Sequence, residues 1–263
     1  LGGIGLKGQG FGFGYGAEGF IGSDYLRFPW ATLPKGRNPE GFAIPVARIA
    51  DMLLNPGDHV EYDGDAIQYP DVKLIYWAGG NPFHHHQDLN RLNNAWQYPE
   101  TIIVNEPWWT ATAQRADLIF PATTQFERSD IGWAKGDPYI FYMPQMIPPV
   151  GLSKNDYDIF KALSKKLNCE EKFTENQSSE EWIEGIYDKF YKQSKSQGIN
   201  VANLKTLKEK NFERMSIDQD EEDYIPFKAF RDDPLKNPLG TPSGKIEIYS
   251  EKIAKFNYPE IPG

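Results

Sequence analysis

The stretch from Tyr76 to Leu92, YWAGGNPFHHHQDLNRL, sets three of the chain's four histidines side by side, directly after an apolar run and two glycines. Imidazoles so placed could ligate a metal, act as a base, or donate a hydrogen bond to a phosphate. Three consecutive residues cannot all face one point on a regular helix or strand. Structural zinc takes four ligands at loop or helical spacing, often including cysteine. No Ser or Cys nucleophile motif stands near His85 to make use of a base. A loop at a helix N-terminus touching a phosphate suits the neighbouring residues better. A loop satisfied within itself is the plain alternative.

Those neighbours are acidic and basic side chains at predicted strand ends. Glu106 follows the apolar run TIIVN, where a carboxylate in a β-α-β unit can accept both ribose hydroxyls of a nucleotide. It could equally cap the segment PWWTATA. Arg128, in FERSD, could fork onto a phosphate or a carbonyl, or form a surface ion pair with Asp130, which could also cap the next segment. Asp158 lies at the start of a predicted helix, where a carboxylate is favourable in any case. It also matches two adjacent N–H donors, as on a guanine edge. Trp108 and Trp109 read as half core and half pocket wall, and Trp77 as core.

The elements that must position these groups are legible from periodicity. DVKLIYWAGG is a buried strand ending in glycines, QDLNRLNNAWQ a helix with Leu89, Leu92 and Trp96 on one side, and TIIVNEP a second buried strand. TATAQRA makes a short helix, and DLIFPATTQFERSD holds a third strand and a polar loop. The pattern β-α-β-α-β implies parallel strands with right-handed crossovers and a ligand at their carboxyl ends. Upstream, EGFAIPVARIADMLLNPGD suggests a helix with Val46, Ile49, Met52 and Leu53 on one face, and VEYDGDAIQY a hairpin turning at Asp63-Gly64. Downstream, DYDIFKALSKKLN places Ile159, Phe160, Leu163 and Leu167 in helical register. SSEEWIEGIYDKFYKQSKSQG reads as a capped helix, NLKTLKEKNF as a shorter one, IDQDEEDY as a solvated loop, and GTPSGKIEIYS as a turn with a strand carrying Ile246 and Ile248.

The 263 residues suffice for one large α/β domain or two small ones. Forty per cent hydrophobic residues make the chain globular, and a net charge of −9 argues against a nucleic-acid or anionic-membrane partner. No apolar run approaches the ~20 residues of a membrane span. A single cysteine, Cys169, excludes an intrachain disulfide framework. Eight of the first sixteen residues are glycine, which excludes a stable helix there. GLKGQG is a weak match to a phosphate-cradling loop, and an irregular segment lying on another surface is the simpler reading. Residue chemistry alone leads to a nucleotide-binding α/β module.

Three stretches carry a resemblance. YWAGGNPFHHHQDLNRLNNAW, ETIIVNEPWWTATAQRADLIFPATTQFERSDI and TPSGKIEIYS closely resemble the dimethyl sulfoxide reductase family of molybdenum enzymes, nearest the trimethylamine N-oxide, dimethyl sulfoxide and biotin sulfoxide reductase branch. The similarity spans most of 44–160 and returns at 241–250; the glycine-rich start resembles the family's GGGFGFGY segment. The resemblance implies bis-molybdopterin guanine dinucleotide with molybdenum as cofactor, reducing an S-oxide or N-oxide with electrons from a redox partner such as a c-type cytochrome. It implies a parallel-sheet, Rossmann-like three-layer α/β sandwich with an added helical segment: residues 1–43 an irregular glycine-rich stretch, 44–160 the cofactor-binding core, 161–263 helices and a returning strand of the same domain. Carried onto matching positions, Asn81, His85, Asn105, Glu106, Arg128 and Asp158 become cofactor contacts, and none of the histidines a metal ligand. No stretch matches the family's molybdenum-binding serine motif, so the chain is expected to be an internal segment of a longer reductase that does not complete the metal site alone. The rest of the reductase chain is then a partner, and the compartment periplasmic, with the cytoplasm of biotin sulfoxide reductases as the other option. The rivals are a non-enzymatic nucleotide-binding module and, more remotely, a histidine-metal hydrolase.

Overall fold

The computed structural model of the chain describes residues 3–7, 28–29, 32–38, 41–134, 138–216, 225 and 227–258. Most of the glycine-rich segment 1–43 and the acidic run 217–224 lie outside the described residues. The chain forms two compact units. One gathers Pro34–Arg128, Gln145–Gln177 and Lys252–Gly263; the other gathers Leu1–Leu33, Ser129–Pro144 and Ser178–Glu251. The added segment after residue 160 is therefore shared between them.

The first of these units is built on a parallel sheet. Strands β3 (Leu74–Ala78), β4 (Thr101–Glu106) and β5 (Leu118–Pro121) pair in that order, with Trp77 opposite Val104 and Asn105 opposite Phe120. Side chains alternate across the sheet. Ile75, Trp77, Ile102 and Val104 face α1 (Ile49–Leu54) and α3 (Leu89–Ala95), and close a core with Leu53, Leu92, Ala95 and Trp96. Tyr76 and Asn105 take the other face. There the Tyr76 ring packs on Phe160 of α4 (Asp156–Lys166), and Phe160 on Phe173 of α5 (Glu170–Thr174). Helices thus cover both faces, and the expected three layers are present. The strands follow one another without reversal, so the Rossmann likeness is one of layers rather than of strand order.

The crossovers are unequal. Short α2 (Pro82–His85) and α3 join β3 to β4, whereas a single 3-10 turn, Ala113–Arg115, lies between β4 and β5. Past β5, Ala122 bridges Lys154 in parallel: the Thr123 N–H donates to Lys154 O at 3.0 Å and the Lys154 N–H to Pro121 O at 3.0 Å. This clamp delivers the start of α4 to the carboxyl edge of the sheet. An antiparallel hairpin, β1 (His59–Tyr62) and β2 (Asp65–Gln68), turns at Asp63 (φ 49°) and Gly64 (φ 94°), as Asp-Gly predicts.

The second unit holds an antiparallel sheet of β6 (Asp130–Trp133), β7 (Tyr139–Met143) and β8 (Phe212–Arg214) with helices α6 (Ser179–Ser196) and α7 (Leu204–Lys210). Its core is Ile140, Tyr187, Phe190, Val201, Leu207 and Met215. Ser178 and Glu181 form the capping box expected at the start of α6.

Several expectations change. Val46 is 64 % exposed, in a 3-10 turn that precedes α1 rather than on its buried face. Leu89, Leu163 and Leu167 are exposed, because each helix buries a narrower stripe than its apolar pattern offers. Residues 245–249 form bends and irregular backbone, not a strand: among the described residues no ladder partner pairs with them, and Ile248 is 93 % exposed. No helix among the described residues is long and apolar enough to cross a membrane.

Leu92 is fully buried between α3 and the sheet. Leu92→Ala is expected to lower stability by about 2–5 kcal/mol, through lost burial and the cavity left behind. Urea denaturation followed by circular dichroism measures it.

Candidate functional site

A cleft of about 890 Å³ opens at the carboxyl ends of β3, β4 and β5, the place where ligands sit in parallel α/β sheets. Each strand contributes a different kind of group.

After β3 come Gly79 (φ 80°) and Gly80 (φ 76°), two successive left-handed residues that line the cleft. Side chains rarely tolerate that conformation, and its use here leaves bare backbone at the rim. Trp77 Nε1 donates to Gly80 O at 3.2 Å and holds the turn. Asn81 follows directly but does not line the cleft; its Oδ1 accepts from the Thr112 hydroxyl. His84 and His85 are exposed on one-turn α2, away from the cleft lining. His86 is half-buried with no partner at Nε2, and burial, with His85 nearby, holds its pKa below the ordinary value. Among the described residues no group of three or more His, Cys, Asp or Glu is placed to hold a metal ion.

At the end of β4, Asn105 is 4 % exposed and Glu106 half-buried at the rim. The Glu106 carboxylate accepts from Trp108 N at 3.3 Å and from the Thr110 hydroxyl at 3.2 Å, so it shapes its own loop. Trp108 and Trp109 are 66 % and 70 % exposed rather than half core; Trp108 lines the cleft.

After β5 the loop turns on Glu127, 5 % exposed. Its carboxylate accepts from Thr124 N (2.8 Å), Val150 N (2.6 Å) and the hydroxyls of Thr124 (2.7 Å) and Ser153 (3.2 Å). These bonds, the Thr124 and Val150 backbone N–H groups foremost, hold its pKa at about 2. Beside it Arg128 donates from Nη1 to Thr123 O at 3.0 Å and faces the cleft. Asp130 lies in β6 of the other unit, where it accepts from Ile131 N at 2.9 Å.

The acid that reaches the cleft from α4 is Asp156, not Asp158. Asn105 Nδ2 donates to Asp156 Oδ1 at 2.9 Å, and Asp156 lines the cleft. Asp158 is exposed and outside the lining. Asp156, three and four residues before Ile159 and Phe160, shares their sheet-facing side of the helix. That spacing is the signal that would have found it. The structure thus brings Asn105, Glu106 and Arg128 together with Asp156, sets Asn81 immediately behind the rim, and leaves His85 and Asp158 outside. Phe126, Ile147 and Val150 add an apolar wall. The whole can receive a ligand with an anionic part, hydroxyl or N–H donors, and a flat apolar face.

Residues 17–166 match the family model for molybdopterin oxidoreductase. The chain is 41 % identical to the trimethylamine-N-oxide reductase of Haemophilus influenzae, over 100 % of this chain and 34 % of that protein. It is 41 % identical to the biotin sulfoxide reductase of Cereibacter sphaeroides, over 99 % and 35 %, and 41 % identical to the dimethyl sulfoxide/trimethylamine N-oxide reductase of Rhodobacter capsulatus, over 100 % and 33 %. The chain spans about a third of the length of these relatives.

Glu127 is bound as the anion, so its depressed pKa stabilises the fold fully above 4.5, and that contribution is lost as pH falls toward about 2. Glu127→Gln is expected to be less stable than the parent near neutral pH, and the gap should close between pH 4.5 and about 2. Unfolding midpoints of both proteins across that window, subtracted one from the other, measure it; a pH-independent gap contradicts it.

Proposed function

The chain belongs to the molybdopterin oxidoreductase family, and on that premise we propose that its cleft binds one molybdopterin guanine dinucleotide within a reductase acting on S-oxides or N-oxides. The observation that carries the reading is the convergence of Gly79-Gly80, Glu106, Arg128 and Asp156 on one cleft at the strands' carboxyl ends.

The fit follows from the signs of the groups present. The exposed backbone N–H groups of Gly79-Gly80 and the Arg128 guanidinium suit the pyrophosphate, since both can donate to its oxygens. The Glu106 carboxylate, with each oxygen already taking one hydrogen bond from its own loop, has lone pairs left for ribose hydroxyls. Asp156 stands in the first turn of α4, where a second anion would be repelled; it suits the N–H edge of guanine, the role first given to Asp158. Asn105 holds Asp156 by hydrogen bond rather than touching a phosphate. Asn81 and His85 belong to the reading as supports and outer contacts of the loop after β3. Phe126 and Trp108 offer apolar surface to a flat ring system.

The second dinucleotide, the molybdenum and its ligand belong in this proposal to parts of the reductase beyond these residues. When bound, the bis-molybdopterin guanine dinucleotide supplies the oxygen-atom and electron transfer. This chain's residues bind and orient one arm of it. A small oxide such as trimethylamine N-oxide, dimethyl sulfoxide or biotin sulfoxide as substrate, a c-type cytochrome as redox partner and a periplasmic site of action complete the proposal; the names of the relatives support the substrate class.

In the full-length reductase, Asp156→Ala and Arg128→Ala are each expected to weaken dinucleotide retention by about tenfold or more, the scale of one lost charge-assisted hydrogen bond. Molybdenum content and GMP released by acid hydrolysis measure it. Parent-like contents in both variants overturn the assignment.

A further inference from the structure

Behind the cleft, three side chains from three elements form one hydrogen-bonded line. The Tyr76 hydroxyl of β3 donates to Asn105 Oδ1 of β4 at 2.9 Å, and Asn105 Nδ2 donates to Asp156 Oδ1 of α4 at 2.9 Å. The direction of this line is dictated chemically. A carboxylate only accepts, so the amide must turn its NH2 to Asp156 and its carbonyl away; the group facing that carbonyl must then be a donor. Tyr76 is that donor. Burial foremost pushes its hydroxyl above the ordinary phenol pKa, the charge on Asp156 adds to this, and the Asn105 hydrogen bond only partly offsets it, so the proton stays in place at neutral pH. The ring is fixed in turn against Phe160, centroids 5.2 Å apart. Asn105, 4 % exposed, has no solvent to replace a lost partner.

A half-buried tyrosine serving only to pack its ring would need no hydroxyl. We propose that Tyr76 is a positioning residue: through Asn105 it orients the Asp156 carboxylate, so that one oxygen is held by the protein and the other is presented to the N–H edge of a purine. The inference rests on the guanine-nucleotide reading of the cleft and deepens it, because it makes base selectivity depend on a hydroxyl that touches no ligand. Without that hydroxyl the amide is free to rotate, and its carbonyl can turn to Asp156, repelling the carboxylate from its reading position.

The test uses the full-length protein freed of cofactor, with GDP and IDP as probes, the latter lacking the 2-amino group. The parent is expected to prefer GDP by about tenfold or more. Tyr76→Phe, which keeps the ring, should lower the GDP/IDP ratio several-fold with IDP affinity little changed. Asn105→Ala, which cuts the line at its middle without adding charge, should do the same, and the double variant no more than either alone, as for two links in one chain. Asp156→Asn should abolish the preference. If Asp156→Asn leaves the ratio intact, the guanine reading itself falls. If Asp156→Asn lowers it while neither Tyr76→Phe nor Asn105→Ala does, or if the double variant shows the two losses added, the positioning role alone is overturned. Should Tyr76→Phe not fold, Asn105→Ala alone decides between these outcomes.

Discussion

A carboxylate taken almost wholly out of water governs the rim of the cleft. Glu127, 5 % exposed, would be costly there without partners, yet it receives two backbone N–H groups and two hydroxyls. Two of those donors, Val150 N and Ser153 Oγ, come from a segment more than twenty residues further along the chain. The anion therefore fastens the loop after β5 to the turn Val150–Ser153 before α4. The Ala122–Lys154 bridge and the Thr123 hydroxyl, which donates to Asn155 at 2.8 Å, extend the same seam by one and two residues. Asp156 is the next residue, so its place in the cleft descends from the hydrogen-bond demand of Glu127.

The parallel sheet separates stability from chemistry. Its α1/α3 face is apolar and closed, with Leu92 and Val104 almost without solvent contact. Its α4 face is mixed: Tyr76 is packed through its ring and polar at its tip, and Asn105 is polar throughout. Burying such groups is tolerable only when each finds a partner, and the Tyr76–Asn105–Asp156 line supplies them in series. A polar network in this position both satisfies buried atoms and aims one acid at the cleft. Side chains that face the apolar core can change size at a cost in stability alone; those in the line also set the orientation of the Asp156 carboxylate.

The parts readable from sequence were those governed by local rules. Short apolar runs ending in glycine or Asn-Glu marked β3 and β4, Asp-Gly marked the hairpin, and Ser-x-x-Glu marked the start of α6. Glu106 and Arg128 were readable as rim residues because a strand end fixes where its next side chains go. Asp158 is singled out by the resemblance and by its place at a helix start, a place Asp156 shares; only the side of α4 that carries Ile159 and Phe160 separates them. The strands β6 and β7 went unread, since an antiparallel sheet completed by Phe212–Arg214 depends on a pairing some seventy residues away in sequence. Lys245–Tyr249 failed in the opposite sense: alternation supplied a strand pattern, and the described residues supply no neighbour to pair with it.

The histidines that dominate the sequence are peripheral to the cleft, and the reason bears on how it can hold an anion. In a single helical turn, adjacent side chains diverge by about 100°. His84 and His85 project to solvent, and His86, the extended residue that ends the turn, is half-buried, where burial favours its neutral form. Among the described residues lining the cleft, Arg128 is then the only cation, set against Glu106, Asp156 and Glu127, the last with its charge already taken up by four donors of the protein. A pyrophosphate in such surroundings must draw on Arg128 and on backbone N–H groups, such as those of the exposed Gly79-Gly80 turn. Glu106 and Asp156, far from opposing such a ligand, confine its charged middle to the β3 and Arg128 side and leave their own side to hydroxyl and N–H donors. An elongated nucleotide, anionic at the centre and donor-rich at one end, meets that division in one orientation only.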